Sequence, residues 1–125
     1  MQVEIYHTAT FGDDSRGFVH VASFAAPANT DEPHALEMAY ERTQNVHGSW
    51  SRGPVFDDGE QNNDHSSLIT VRAPLPVHDG VTYGLRSSSV NDVFLINGAP
   101  WRVASMGFEA LGEAHPFVMW QRETA

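Results

Sequence analysis

The residues best equipped for chemistry stand together at Arg86-Ser87-Ser88-Ser89, a guanidinium beside three hydroxyls. Such a set could hold a phosphate or a carboxylate, since the guanidinium offers a planar fork of donors. The same arginine could equally pair with an acid inside the protein. A serine nucleophile needs a neighbouring base and an oxyanion hole, and its usual sign is Gly-x-Ser-x-Gly on a strand-to-helix elbow. No such elbow occurs here. The three serines therefore read as hydroxyls satisfying backbone groups where the chain enters a hairpin, with Asp92 accepting backbone N–H groups in the same corner. No catalytic residue is assigned, and the expectation is a non-enzyme.

Two Trp–Arg combinations invite a binding role, because both residue types concentrate at interaction hot spots. Trp50 with Arg52 lies in a Gly/Ser loop and reads as an exposed anchor. Trp101 and Arg102 must point to opposite faces of a strand, and Trp101 is expected inward. The run Asp57-Asp58-Gly59-Glu60-Gln61-Asn62-Asn63-Asp64 lacks the ligand spacing of a calcium loop. Asp57, Asp58, Glu60 and Asp64 read as a solvated acidic surface, a candidate for binding. His7, His20, His34, His47, His65, His78 and His115 show no His-x-His, no His-Glu-x-x-His and no pair one helical turn apart, so no metal site is expected.

What is missing narrows the field further. The chain has no Cys and no Lys, which removes thiolate and Schiff-base chemistry and the P-loop lysine. No cofactor is implied. Sixteen acids against seven Arg leave a net charge of −9, the reverse of a nucleic-acid footprint. Direct nucleic-acid binding is not expected; a basic protein surface is the natural partner. The first residues alternate and carry Glu4, unlike a secretory leader, and no apolar run approaches the ~20 residues of a membrane span. A soluble cytoplasmic protein is expected, with monomer and dimer both open.

The elements that must position these residues follow from periodicity. Residues 2–8 alternate and read as a strand, 12–17 as a turn cluster, and 18–24 as a second strand. Leu36, Ala39, Tyr40 and Thr43 recur at helical spacing, which predicts one amphipathic helix over 34–46 behind N-cap candidates Thr30 and Asp31. Residues 49–67 form a long polar stretch, and 51–67, with few apolar anchors, are expected to be the most mobile part. Residues 68–73 read as a strand, and Asp79-Gly80 as a tight turn. The strongest signal is Val93-Phe94-Leu95-Ile96, then Asn97-Gly98, then Trp101-Arg102-Val103-Ala104, a hairpin around a type I′ turn. Pro116 to Trp120 reads as a last short strand. The chain, 1–125, is expected to be a single α+β domain: a mainly antiparallel sheet of about five to seven short strands, with one helix packed on one face.

The arm also carries a resemblance. Arg-Ser-Ser-Ser-Val-Asn-Asp-Val, a strand, a Gly turn, a second strand and Gly-Phe-x-x-Leu resemble a group of small proteins encoded by phages, plasmids and integrated elements. Those proteins typically show Arg-Ser-(Thr/Ser)-Ser-Val-Gly-Asp-Val, after a helix and a Trp-containing loop similar to Leu36 to Trp50. Asn91 stands where the group usually has Gly, and Asn tolerates left-handed backbone better than other non-Gly residues. The resemblance implies a mobile-element context and no catalytic residues. Two functions are carried forward. One is a binding or accessory protein acting on a host or element-encoded protein through an acidic surface, possible inhibition of a defence protein included. The other is a small-molecule or nucleotide-phosphate domain, enzymatic or not, that uses Arg86 to Ser89.

Overall fold

A computed structural model describes residues 1–124. Its frame is one antiparallel sheet of six strands. β1 (Gln2–Thr10) and β2 (Asp13–Ala25) form a long hairpin that turns at Phe11-Gly12, so residues 13–17 belong to β2 and the expected turn is tighter than its sequence suggested. α1 (Glu32–Glu41) follows, then β3 (Ile69–Val71). β4 (Val77–His78) and β5 (Val81–Thr82) make a separate small hairpin through Asp79-Gly80, both with positive φ. β6 (Val93–Ile96) and β7 (Ala99–Val103) are the expected hairpin, with φ of 51° at Asn97 and 79° at Gly98. β8 (Phe108–Ala110) and α2 (Pro116–Thr124) complete the chain. The order across the sheet is β3-β2-β1-β6-β7-β8, so β1 lies at the centre, paired on one side with β2 and on the other with β6.

The two faces of the sheet are covered differently. Val3, Ile5 and His7 of β1 alternate onto one face, where Ala35, Leu36 and Ala39 of α1 meet Phe24, Trp50, Phe94 and Ile96 in the main core. A bulge in β2 places Val21 in this core beyond the regular pairing of Ile5 with Ala22 and Tyr6 with His20. The opposite face holds Tyr6, Phe18 and Val93, and α2 covers it. Phe117 and Trp120, one helical turn apart, sit edge-on to Phe18 with ring centres 5.1 and 5.7 Å away. The expected last strand at Pro116 to Trp120 is therefore a helix, and the sheet has a helix on each face rather than on one. Its apolar residues fit a period of 3.6 once Pro116 starts the first turn and His115 Nδ1 accepts the Phe117 N–H at 3.0 Å.

α1 begins where expected, with Asp31 as N-cap accepting the His34 N–H at 2.9 Å. It ends sooner than residue 46. Thr43 Oγ1 donates to the Ala39 carbonyl at 2.8 Å and Gln44 Nε2 to that of Tyr40 at 3.0 Å, so side chains take the carbonyls that a further turn would use. Among the described residues no helix is long and apolar enough to cross a membrane.

Candidate functional site

The Arg86 arm is built into the fold. Asp92 is fully buried, and its two oxygens accept the Thr8 N–H at 2.8 Å, the Ser89 N–H at 2.7 Å and both Arg86 Nη groups at 2.8 Å. Arg86 also donates to the Ser87 carbonyl, and its guanidinium lies over the Phe11 ring at 5.0 Å. Ser87 Oγ accepts the Asn45 N–H at 2.8 Å. Ser88 is 2% exposed and touches His7 Nε2 at 2.9 Å and Thr43 Oγ1 at 2.8 Å. Asn91, where the resembling proteins have Gly, takes φ 77°.

Ser, His and Asp thus meet, but not as a catalytic relay. In such a relay the carboxylate holds the ring nitrogen opposite the serine. Here Ser88 and Asp92 both approach Nε2 of His7, Asp92 at 3.8 Å. Burial drives the His7 pKa down to about 4 against the opposing pull of Asp92 and with help from Arg86. His7 is therefore neutral near pH 7. A hollow of about 260 Å³ opens beside His7, Leu85 and Arg86, with mostly apolar walls. Both Nη groups of the guanidinium beside it are already bonded to protein oxygens, which leaves little charge for an anionic ligand.

Trp50, expected as an exposed anchor, is 1% exposed: its Nε1 donates to the Arg86 carbonyl at 2.8 Å and its ring meets His7 edge-on. An indole with a backbone acceptor at hand buries a large apolar area without leaving its N–H unmet, which is why the loop folds inward. Arg52 lies over the Phe56 ring and reaches the exposed Asp57 at 3.5 Å.

The acidic loop divides. Asp57, Asp58 and Glu60 are exposed. Asp64 turns back, and one of its oxygens accepts three successive N–H groups, from Val46, His47 and Gly48, at 2.7 to 2.8 Å. Burial pushes its carboxyl pKa up, and those three backbone donors more than offset it, so the pKa lies below the ordinary value. The buried Asn62 accepts the Ser49 N–H and donates to the carbonyls of Ser49 and Gly53. The segment read as the most mobile thus contains a hydrogen-bonded frame at its base, and its tip closes on itself through the Phe56 N–H to the Glu60 carbonyl and the Gly59 N–H to that of Phe56. The sequence hid this because Asn and Asp serve solvation and backbone capture alike.

A second site was not singled out from sequence. α1 covers β1 and β6 but leaves β7 and β8 open, and two adjoining hollows of about 310 and 200 Å³ lie in the gap. Leu36 and Tyr40 form one wall; Trp101, Val103 and Phe108 form the other. Glu32, Glu37 and Glu41 of α1 edge the recess, and none of them forms an ion pair among the described residues. Glu37 and Glu41 are one helical turn apart, a like-charge spacing that mildly weakens the helix. Trp101 is half-buried rather than fully inward, and its shielded Nε1–H has no acceptor. The available signal was the run of glutamates on the polar side of α1.

Comparison with protein-family models, with curated proteins and with solved structures finds no match to this chain.

Proposed function

We propose that this protein is a non-enzymatic binding protein that recognises a basic region of a partner protein, with the α1–β8 recess as its seat. One observation carries the reading: three carboxylates edge an open recess with an apolar floor, and none of them forms an ion pair with an Arg or His among the described residues. Uncompensated charge of one sign steers an oppositely charged partner and disfavours phosphate competitors. Asp57, Asp58 and Glu60 are exposed as well and add to the net negative charge. The phage- and plasmid-type resemblance of the arm suggests a host or element-encoded partner in the cytoplasm.

The rival, a small ligand held at Arg86 to Ser89, has less support because Asp92 already occupies the guanidinium. The hollow beside His7 is the one feature in its favour.

The test is association with an arginine-rich model peptide across ionic strength. On-rates should fall several-fold from ~0.05 to ~0.5 M salt, because exposed charges are screened within about 10 Å at 0.1 M. Glu37→Gln with Glu41→Gln should remove most of that dependence. An on-rate indifferent to both salt and the two substitutions would overturn the reading.

A further inference from the structure

The recess borders an unpaired sheet edge, and the two fit together. β8 pairs only with β7 among the described residues. The Leu111 N–H donates to the Pro100 carbonyl and the Ala104 N–H to that of Gly107, which makes Arg102 and Glu109 the bonded pair between them. Phe108 and Ala110 therefore direct their own N–H and C=O groups away from the sheet. Their side chains stand on the α1 face, opposite Val103 and Trp101.

Proteins commonly blunt such edges with proline, charge or a covering element. The far edge, β3, runs directly into Pro74 and Pro76. β8 has no proline, and its one charged residue, Glu109, faces the other side in a pair with Arg102. Met106, in the turn just before it, is 90% exposed.

From these features we infer that the recess takes an extended arginine-containing segment of a partner, added as a strand parallel to β8. Strand addition draws affinity from the main chain and specificity from pockets for alternate side chains. A residue opposite Phe108 projects between Tyr40, Glu37 and Glu41, where a guanidinium can stack on the rings and fork onto the carboxylates. A residue opposite Ala110 projects towards Leu36 and Trp101 and should be apolar. The inference rests on the proposed recognition of basic protein and adds its geometry: Arg-x-apolar in an extended backbone.

The experiment is an NMR titration of ¹⁵N-labelled protein with the blocked peptide Ser-Thr-Arg-Thr-Val-Thr-Ser. A twin peptide is N-methylated on the residues that face β8, and the peptide is also titrated into the Glu37→Gln/Glu41→Gln variant. The expected result is shifts at the Phe108 and Ala110 amides, loss of binding by the twin, and ~10-fold weaker binding by the variant. If the twin binds equally while the variant binds weakly, strand addition is overturned and acidic recognition stands. If the twin fails but the variant binds normally, the guanidinium role is overturned. Absence of binding by every peptide overturns both.

Discussion

The Arg86–Asp92 corner and the α1–β8 recess are made of the same kinds of residue and treat charge in opposite ways. In the corner, a buried carboxylate, a guanidinium, an imidazole and two hydroxyls use one another up, so beyond the partly exposed Arg86 the cluster presents little to solvent. In the recess, three glutamates stand over apolar side chains with no ion-pair partner among the described residues. The corner joins β1, the end of α1 and the entry to β6, and its polar groups determine how the chain closes. The recess contributes nothing to closure that a neutral residue would not. A run that looks like chemistry in the sequence can be architecture, whereas surplus charge beside a hollow marks what the fold has left free for something else.

The contrast breaks most visibly at Asp92. Asp92→Asn should lower stability by about 2–4 kcal/mol, because the partly exposed Arg86 loses its counter-charge and the Thr8 and Ser89 N–H groups lose a carboxylate acceptor. Glu37→Gln, made in parallel, should leave the urea midpoint nearly where it was. Equal midpoints for the two variants would erase the distinction between corner and recess.

A second effect comes from His7. Its folded pKa of about 4 lies below the ordinary 6.5, so the fold favours the neutral ring and the unfolded chain takes up the proton first. Stability is then complete above pH 6.5 and is lost as pH falls from 6.5 towards 4, by an amount on the order of 3 kcal/mol. Urea midpoints at pH 7.5, 6 and 5 should decline in that order, and the His7 imidazole should keep its neutral NMR shifts to pH 5. A His7 resonance that titrates near 6.5 would show that the ring is not held as described.

The smallest effect belongs to the recess itself. Glu37→Gln with Glu41→Gln should change stability by no more than ~0.5 kcal/mol, and in the stabilising direction, because it relieves a like-charge pair on one helical face. A loss above ~1 kcal/mol, at the scale of a removed structural contact, would mean that these glutamates do structural work.

Much of the frame was legible beforehand. The β6–β7 hairpin follows from Asn97-Gly98 between two apolar runs, the N-terminus of α1 from Asp31, and the β4–β5 turn from Asp79-Gly80. The second helix was not, because Phe117, Val118 and Trp120 suit strand and helix equally, and only the aromatic patch on β1 and β2 decides between them. Trp50 was misplaced for a related reason: its acceptor is a carbonyl 36 residues away. The recess leaves little trace in sequence, since it depends on how far α1 reaches across the sheet.

The position of β1 has a consequence for how the molecule comes into being. Residues 3–6 pair with 93–96, and Thr8 is tied to Asp92, 84 residues on. During synthesis the β1–β2 hairpin can form early, but the far side of β1 keeps its hydrogen-bonding groups open until β6 emerges from the ribosome. Contacts so distant along the chain slow folding, and an unpaired strand is the vulnerable species while it waits. The nascent protein therefore spends most of its elongation with its future centre exposed as an edge.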